Sequence, residues 1–165
     1  MNIRACLVLT FLTALPALAQ ESGVENLLTI EPSTEFPRNS EGDVIEFKDG
    51  RLGLIYSRFT GGSADHSQAD IVLRTADSAG REWDEGRILI PRGEADNIMS
   101  VSTVQLPDGN WLLFHLKRFG WNNLHAFVQR TTDEFQTLSE PVRVTVVDGY
   151  HVVNNDRVIR TSSGR

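Results

Sequence analysis

The stretch EGDVIEFKDGRLGLIYSRF, residues 41–59, returns as SVSTVQLPDGNWLLFHLKRF at 100–119 and in part as NDRVIRTSSGR at 155–165. Asp49-Gly50, Asp108-Gly109 and Ser163-Gly164 mark the corresponding turns, spaced by 59 and 55 residues. Each copy has a β-rich run (Val44 to Phe47; Thr103 to Leu106), then a turn, then a second apolar run (Leu52 to Tyr56; Trp111 to Leu116). The small residue and glycine of the turn supply the positive φ that a two-residue hairpin demands. The second runs are apolar at consecutive positions, as in strands covered on both faces.

The rest of the unit also repeats. Ala69 to Thr75 aligns with His125 to Thr131 as a third strand, and Arg87 to Ile90 with Val142 to Val146 as a fourth. Four strands recurring every ~55–60 residues predict all-β propeller blades. A β-sandwich with two chance hairpins is the alternative. The repeats run about 37–96, 97–151 and 152–165, the last reaching only one strand, Val158 to Thr161. No helix or linker is expected beyond the first nineteen residues.

Those nineteen residues predict a secretory signal peptide. Arg4 is the basic end, CLVLTFLTAL (residues 6–15) the apolar centre, and Ala17-Leu18-Ala19 the cleavage pattern. The apolar run is too short for a membrane helix, which needs ~20 residues. The mature chain, from Gln20, is expected to be secreted or periplasmic. It has no cysteine, which excludes a disulfide, a thiolate metal site and a cysteine nucleophile. Its fifteen basic and twenty-two acidic residues leave a net charge of −7, against nucleic acid as partner. His115, His125 and His151 lack metal-ligand spacing, and no metal or cofactor is expected.

Propeller topology nominates residues on its own. Groups just ahead of each innermost strand converge where the central channel opens. Counted back from the turns, these are Arg38, Asn39 and Glu41, then Asn97 and Ser100, then Asn155. Polar groups from successive blades aimed at one axis make a sugar-binding floor. Asn154, Asp156 and Arg157 border the third mouth, or are simply a polar turn. Trp121 lies in a loop, where an indole can stack on a sugar.

Two turns carry a resemblance. Thr131 to Leu138 (TTDEFQTL) and Thr75 to Trp83 (TADSAGREW) resemble the Asp-box of bacterial sialidases. In the second copy Phe135 takes the glycine place; the first inserts a residue. In such turns an aspartate holds backbone N–H groups. Longer strings (PRNSEGD at 37–43, RFTGGSADH at 58–66, NIMSVS at 97–102, YHVVNNDRVI at 150–159) are similar to sialidase-like hydrolases with BNR-type repeats. Those proteins are six-bladed and about twice this length, which implies two blades and one strand here, an N-terminal fragment. The resemblance implies that Arg38 is the first arginine gripping a sugar carboxylate, through a planar fork that Lys lacks. It implies Arg58 as a second arginine, the alternative being an ion pair at the surface. Asp65, in the Gly-Gly-Ser-Ala-Asp-His loop, matches the acid/base, with His66 tuning it or binding substrate. Glu41 then positions Arg38 or binds a hydroxyl. The Tyr–Glu nucleophile and the third arginine are expected after Arg165. The implied function is an exported hydrolase of terminal acidic sugars on glycans; a non-catalytic carbohydrate- or protein-binding propeller is the alternative.

Overall fold

The computed structural model describes residues 23–163, so the expected signal peptide, residues 1–19, and Gly164 of the third expected turn lie outside the described residues. Every regular element among the described residues is a strand. β1 (Arg38–Glu46), β2 (Leu52–Phe59), β3 (Ala69–Ala76) and β4 (Arg87–Ile90) form one antiparallel sheet in chain order. β5 (Asn97–Gln105), β6 (Trp111–Arg118), β7 (Leu124–Thr131) and β8 (Val142–Arg143) form a second, of the same order. Two four-stranded meanders, related by the sequence repeat and packed face to face, are two blades of a propeller; the sheets do not close on each other.

The turns differ from the expected two-residue hairpins. Phe47 N donates to Arg51 O at 2.8 Å and Gly50 N to Phe47 O at 2.9 Å. Leu106, Asn110 and Gly109 repeat this pattern. The loop is therefore three residues ending in a glycine at positive φ, 84° for Gly50 and 78° for Gly109, the turn-plus-bulge solution for a hairpin.

Each first strand also starts earlier than the apolar run. β1 and β5 carry bulges, between Ser40 and Asp43 and between Met99 and Ser102. Glu41 and Ser100 sit at the bulges, each at φ 59°. A bulge absorbs one extra residue and lets pairing resume. Arg38, Glu41, Asn97 and Ser100 thus belong to strands rather than to the approach to them.

The main core lies between the blades. Ile45, Ile55, Ile71 and Leu73 of the first meet Ile98, Val101, Leu113 and Phe135 of the second. The turn aspartates behave as expected: Asp77 Oδ1 accepts from Arg81 N (2.7 Å) and Glu82 N (3.0 Å), and Asp133 from Thr137 N (2.9 Å) and Thr137 Oγ1 (2.6 Å). The bond from the Thr137 hydroxyl, with that from its amide, holds the Asp133 carboxyl down at about 2. Phe135 stands at φ 67°, a glycine conformation that a bulky residue rarely adopts. Its fully buried ring, 6.0 Å from that of Trp111, offsets that strain.

Two expected strands are shorter or absent. The fourth strand of the second blade ends at Arg143 rather than Val146. Val158 to Thr161 forms no strand, because among the described residues no second strand follows to make its hairpin, and a lone strand gains no ladder. The segment instead follows β5: Asp156 N donates to Val101 O at 2.9 Å and Arg157 N to Ser102 Oγ at 3.0 Å. The left-handed residue is Asp156, at φ 49°, one place later than counting from the turn puts it.

Candidate functional site

The start of β1, the end of β2 and the loop 60–68 lie at one end of the first blade; the start of β5, the end of β6 and the loop 119–123 lie at the same end of the second. Arg38 is the hub. Its Nη1 donates to Asp65 Oδ1 at 2.5 Å and to Ser63 O at 3.2 Å, its Nη2 to Glu41 Oε1 at 3.0 Å, and its Nε to Ser40 Oγ at 2.9 Å. The guanidinium also lies 4.4 Å from the centre of the Phe59 ring, its cross-strand partner. The five donors of arginine in a fixed plane make this multiple grip possible.

The bulge explains Glu41. The left-handed turn of the backbone brings its carboxylate between blades, where Oε2 accepts from Ser100 N (3.2 Å) and Ser100 Oγ (3.3 Å). Glu41 therefore fixes Arg38 from one side and the next blade's bulge from the other. Asp65 is exposed apart from its Arg38 contact. An ion pair that open contributes little to stability.

The loop 60–68 crosses to the second blade. Ser67 O accepts from Asn97 Nδ2, and His66 O accepts from Arg118 Nη2 at 2.6 Å. The His66 ring lies 5.4 Å from that of Trp121, and the Arg118 guanidinium lies over Trp121 at 5.3 Å. Asn97 thus positions the loop through its backbone.

Arg58 does not join this group. It pairs across the ladder with Asn39, whereas Arg38 pairs with Phe59. Ladder partners share a face and neighbours alternate, so Arg58 is on the opposite face, with its guanidinium 4.2 Å from the Phe36 ring. The second arginine at this end is Arg118, partner of Asn97 and the positional equivalent of Phe59. Sequence reading named Arg58 on the resemblance and did not single out Arg118, although each precedes a phenylalanine at the end of a second strand. Counting from the turns shows the slip: Arg58 is nine residues after Asp49, Arg118 ten after Asp108.

The third-repeat residues are only partly brought in. Asn155 Nδ2 reaches Gly42 O at 3.4 Å, beside Glu41. Arg157 contributes its backbone amide to Ser102, while its Nη1 turns to Asp156 O at 3.1 Å. Among the described residues, no three His, Cys, Asp or Glu side chains are grouped to hold a metal, and no helix is long and apolar enough to cross a membrane.

No protein-family model matches the chain, and no curated protein matches it. Solved structures do. A protein of unknown function from Dyadobacter fermentans is similar over 82% of this chain and 46% of its own, with a TM-score of 0.65 and 15% identity. The Hadza microbial sialidase Hz136 is similar over 67% of this chain and 26% of its own, with a TM-score of 0.57 and 16% identity. The chain spans less than half the length of either. Identities this low carry the fold alone, and the fold they share with this chain is the blade arrangement of a sialidase-type propeller.

Proposed function

We propose that this chain contributes two blades to an exported, sialidase-like glycoside hydrolase that removes terminal acidic sugars from glycans. The observation that carries the reading is Arg38 held between Glu41 and Asp65 at the channel end. Its fork is suited to a sugar carboxylate, bound in place of Asp65. Asp65, released from Arg38 on a glycine-containing loop at the same point, takes a proton from water and passes it to the leaving oxygen. Arg118, also at this end, adds positive charge to the floor.

The test uses the full-length protein, taken from the secreted or periplasmic fraction; mass spectrometry should find Gln20 at its N-terminus. Asp65→Ala should lower turnover of an alkyl sialoside by about two to four orders of magnitude. An aryl sialoside, whose leaving group needs less protonation, should lose less. Arg38→Lys should chiefly raise KM. Wild-type rates in the Asp65 variant on both substrates remove the proposed mechanism, and Met1 retained on soluble cytoplasmic protein removes export. Tight sialoside binding with no turnover in the wild type favours the binding propeller.

A further inference from the structure

Asp65 stands on a loop that is held largely from outside. Within the loop, Thr60 N donates to Gln68 O and Ser67 N to Ala64 O, both at 2.8 Å, which closes the base and one inner turn. Gly61 and Gly62 lead in, Gly62 at φ 146°, a conformation open to glycine and to few other residues. The Asp65 side chain is 84% exposed. Ahead of it, Ser63 O accepts from Arg38. The two carbonyls after it are taken by the second blade: His66 O accepts from Arg118 Nη2 at 2.6 Å, and Ser67 O from Asn97 Nδ2. Arg118 and Asn97 are ladder partners, 7% and 0% exposed. Folding does not require a charge at this place, because the first blade has Phe59 there, buried and apolar. A buried guanidinium costs stability unless its partners offset the loss of water. Among the described residues Arg118 Nε has no partner, nor has Asn97 Oδ1.

We propose that Arg118 and Asn97 are positioning residues for Asp65, so that the second blade sets where the acid/base of the first blade stands. The assignment rests on the proposed function for the role of Asp65. When a sugar carboxylate takes the Arg38 fork, the Asp65 side chain loses that contact. The backbone grip at residues 66 and 67 is then what keeps its carboxyl at the leaving oxygen. A misplacement of about 1 Å in a reacting group lowers a rate about a hundredfold. Trp121 packs on both partners of the grip, its ring 5.3 Å from the Arg118 guanidinium and 5.4 Å from the His66 ring.

The experiment combines kinetics and amide hydrogen exchange on the full-length protein. Arg118→Met keeps the length of the side chain and removes its donors. It should lower kcat on an alkyl sialoside about tenfold to a hundredfold, with a smaller change in KM. An aryl sialoside, whose leaving group needs less protonation, should lose less. Arg118→Lys, which can still donate to His66 O, should recover most of the loss. The Thr60 and Ser67 amides should exchange faster in Arg118→Met and in Asn97→Ala, with the rest of both blades unchanged. If Arg118→Met fails to fold, Arg118→Phe, the first blade's own residue at this place, and Asn97→Ala carry the same expectations. A raised KM on both substrates with kcat intact makes Arg118 a ligand of the sugar carboxylate and overturns the proposal. Equal losses on both substrates overturn it too, as does unaltered exchange in the loop. If the wild type hydrolyses neither sialoside, the proposed function fails separately. The hold on the loop then stands if exchange quickens in the variants, and falls if it does not.

Discussion

His115 shows how much one residue's surroundings decide. Its ring is buried in β6, 6.0 Å from the Phe127 ring, and neither nitrogen has a partner. Burial, with Lys117 nearby, pushes its pKa from 6.5 down to about 3. The folded ring stays neutral while the unfolded chain takes up a proton below pH 6.5. Stability therefore falls as pH drops from about 6.5 to about 3. In the full-length protein, His115→Leu should flatten that slope. At pH 7 it should be neutral or stabilising by about 1 kcal/mol, because two unpaired polar atoms leave the core. Urea midpoints at pH 7 and 4.5 read both effects; an unchanged slope assigns the acid sensitivity elsewhere.

At the scale of the element, neighbouring blades are stitched along their first strands. The buried Asp43 carboxylate, just past the β1 bulge, accepts from Thr103 N and Thr103 Oγ1, both at 2.7 Å. Ser102 Oγ does the equivalent for Arg157 N. Gly42 belongs to the same device: a Cβ there would stand 2.9 Å from the Ile55 carbonyl. Asp43→Ala should cost the full-length protein about 1.5–3 kcal/mol, the range for hydrogen bonds to a charged group, and Asp43→Asn less. Chemical denaturation measures it; a loss below about 0.5 kcal/mol would show that the link is not structural. Strand register also decides the site. A one-residue offset in a ladder sends a side chain to the other face, which is why Arg118 lies at the loop 60–68 and Arg58 packs on Phe36.

At the scale of the molecule, apolar positions remain open on both flanks. Val44, Val142, Val152 and Ile159 are exposed. On the far side of the second blade, Met99, Leu116, Leu124 and Ala126 are packed by Val153 of the strandless segment, next to a cavity of about 230 Å³. Blades gain stability from faces packed on neighbours. Residues 20–165 expressed alone should therefore associate as concentration rises, and analytical ultracentrifugation should show mass increasing through the micromolar range. A monomer with a sharp, concentration-independent thermal transition would contradict this reading of the flanks.

The repeat, the all-β class, the strand order within each blade and the aspartate-held turns were legible in the sequence alone. They depend on alternation, glycine and short-range hydrogen bonding, which adjacent residues specify. Arg38, Glu41 and Asp65 were also named from sequence, as was the loop that carries Asp65. The tertiary structure decided the rest: the bulges that pull Glu41 and Ser100 into strands, the face on which each arginine lies, with Arg118 beside the loop 60–68 and Arg58 on Phe36, and the absence of a strand over Val158 to Thr161. Each of these turns on ladder register or on a contact between blades. The ladder pairs join residues about twenty positions apart, Asn39 with Arg58 and Asn97 with Arg118, and the contacts between blades join residues fifty to sixty apart, distances at which short-range patterning does not specify a partner.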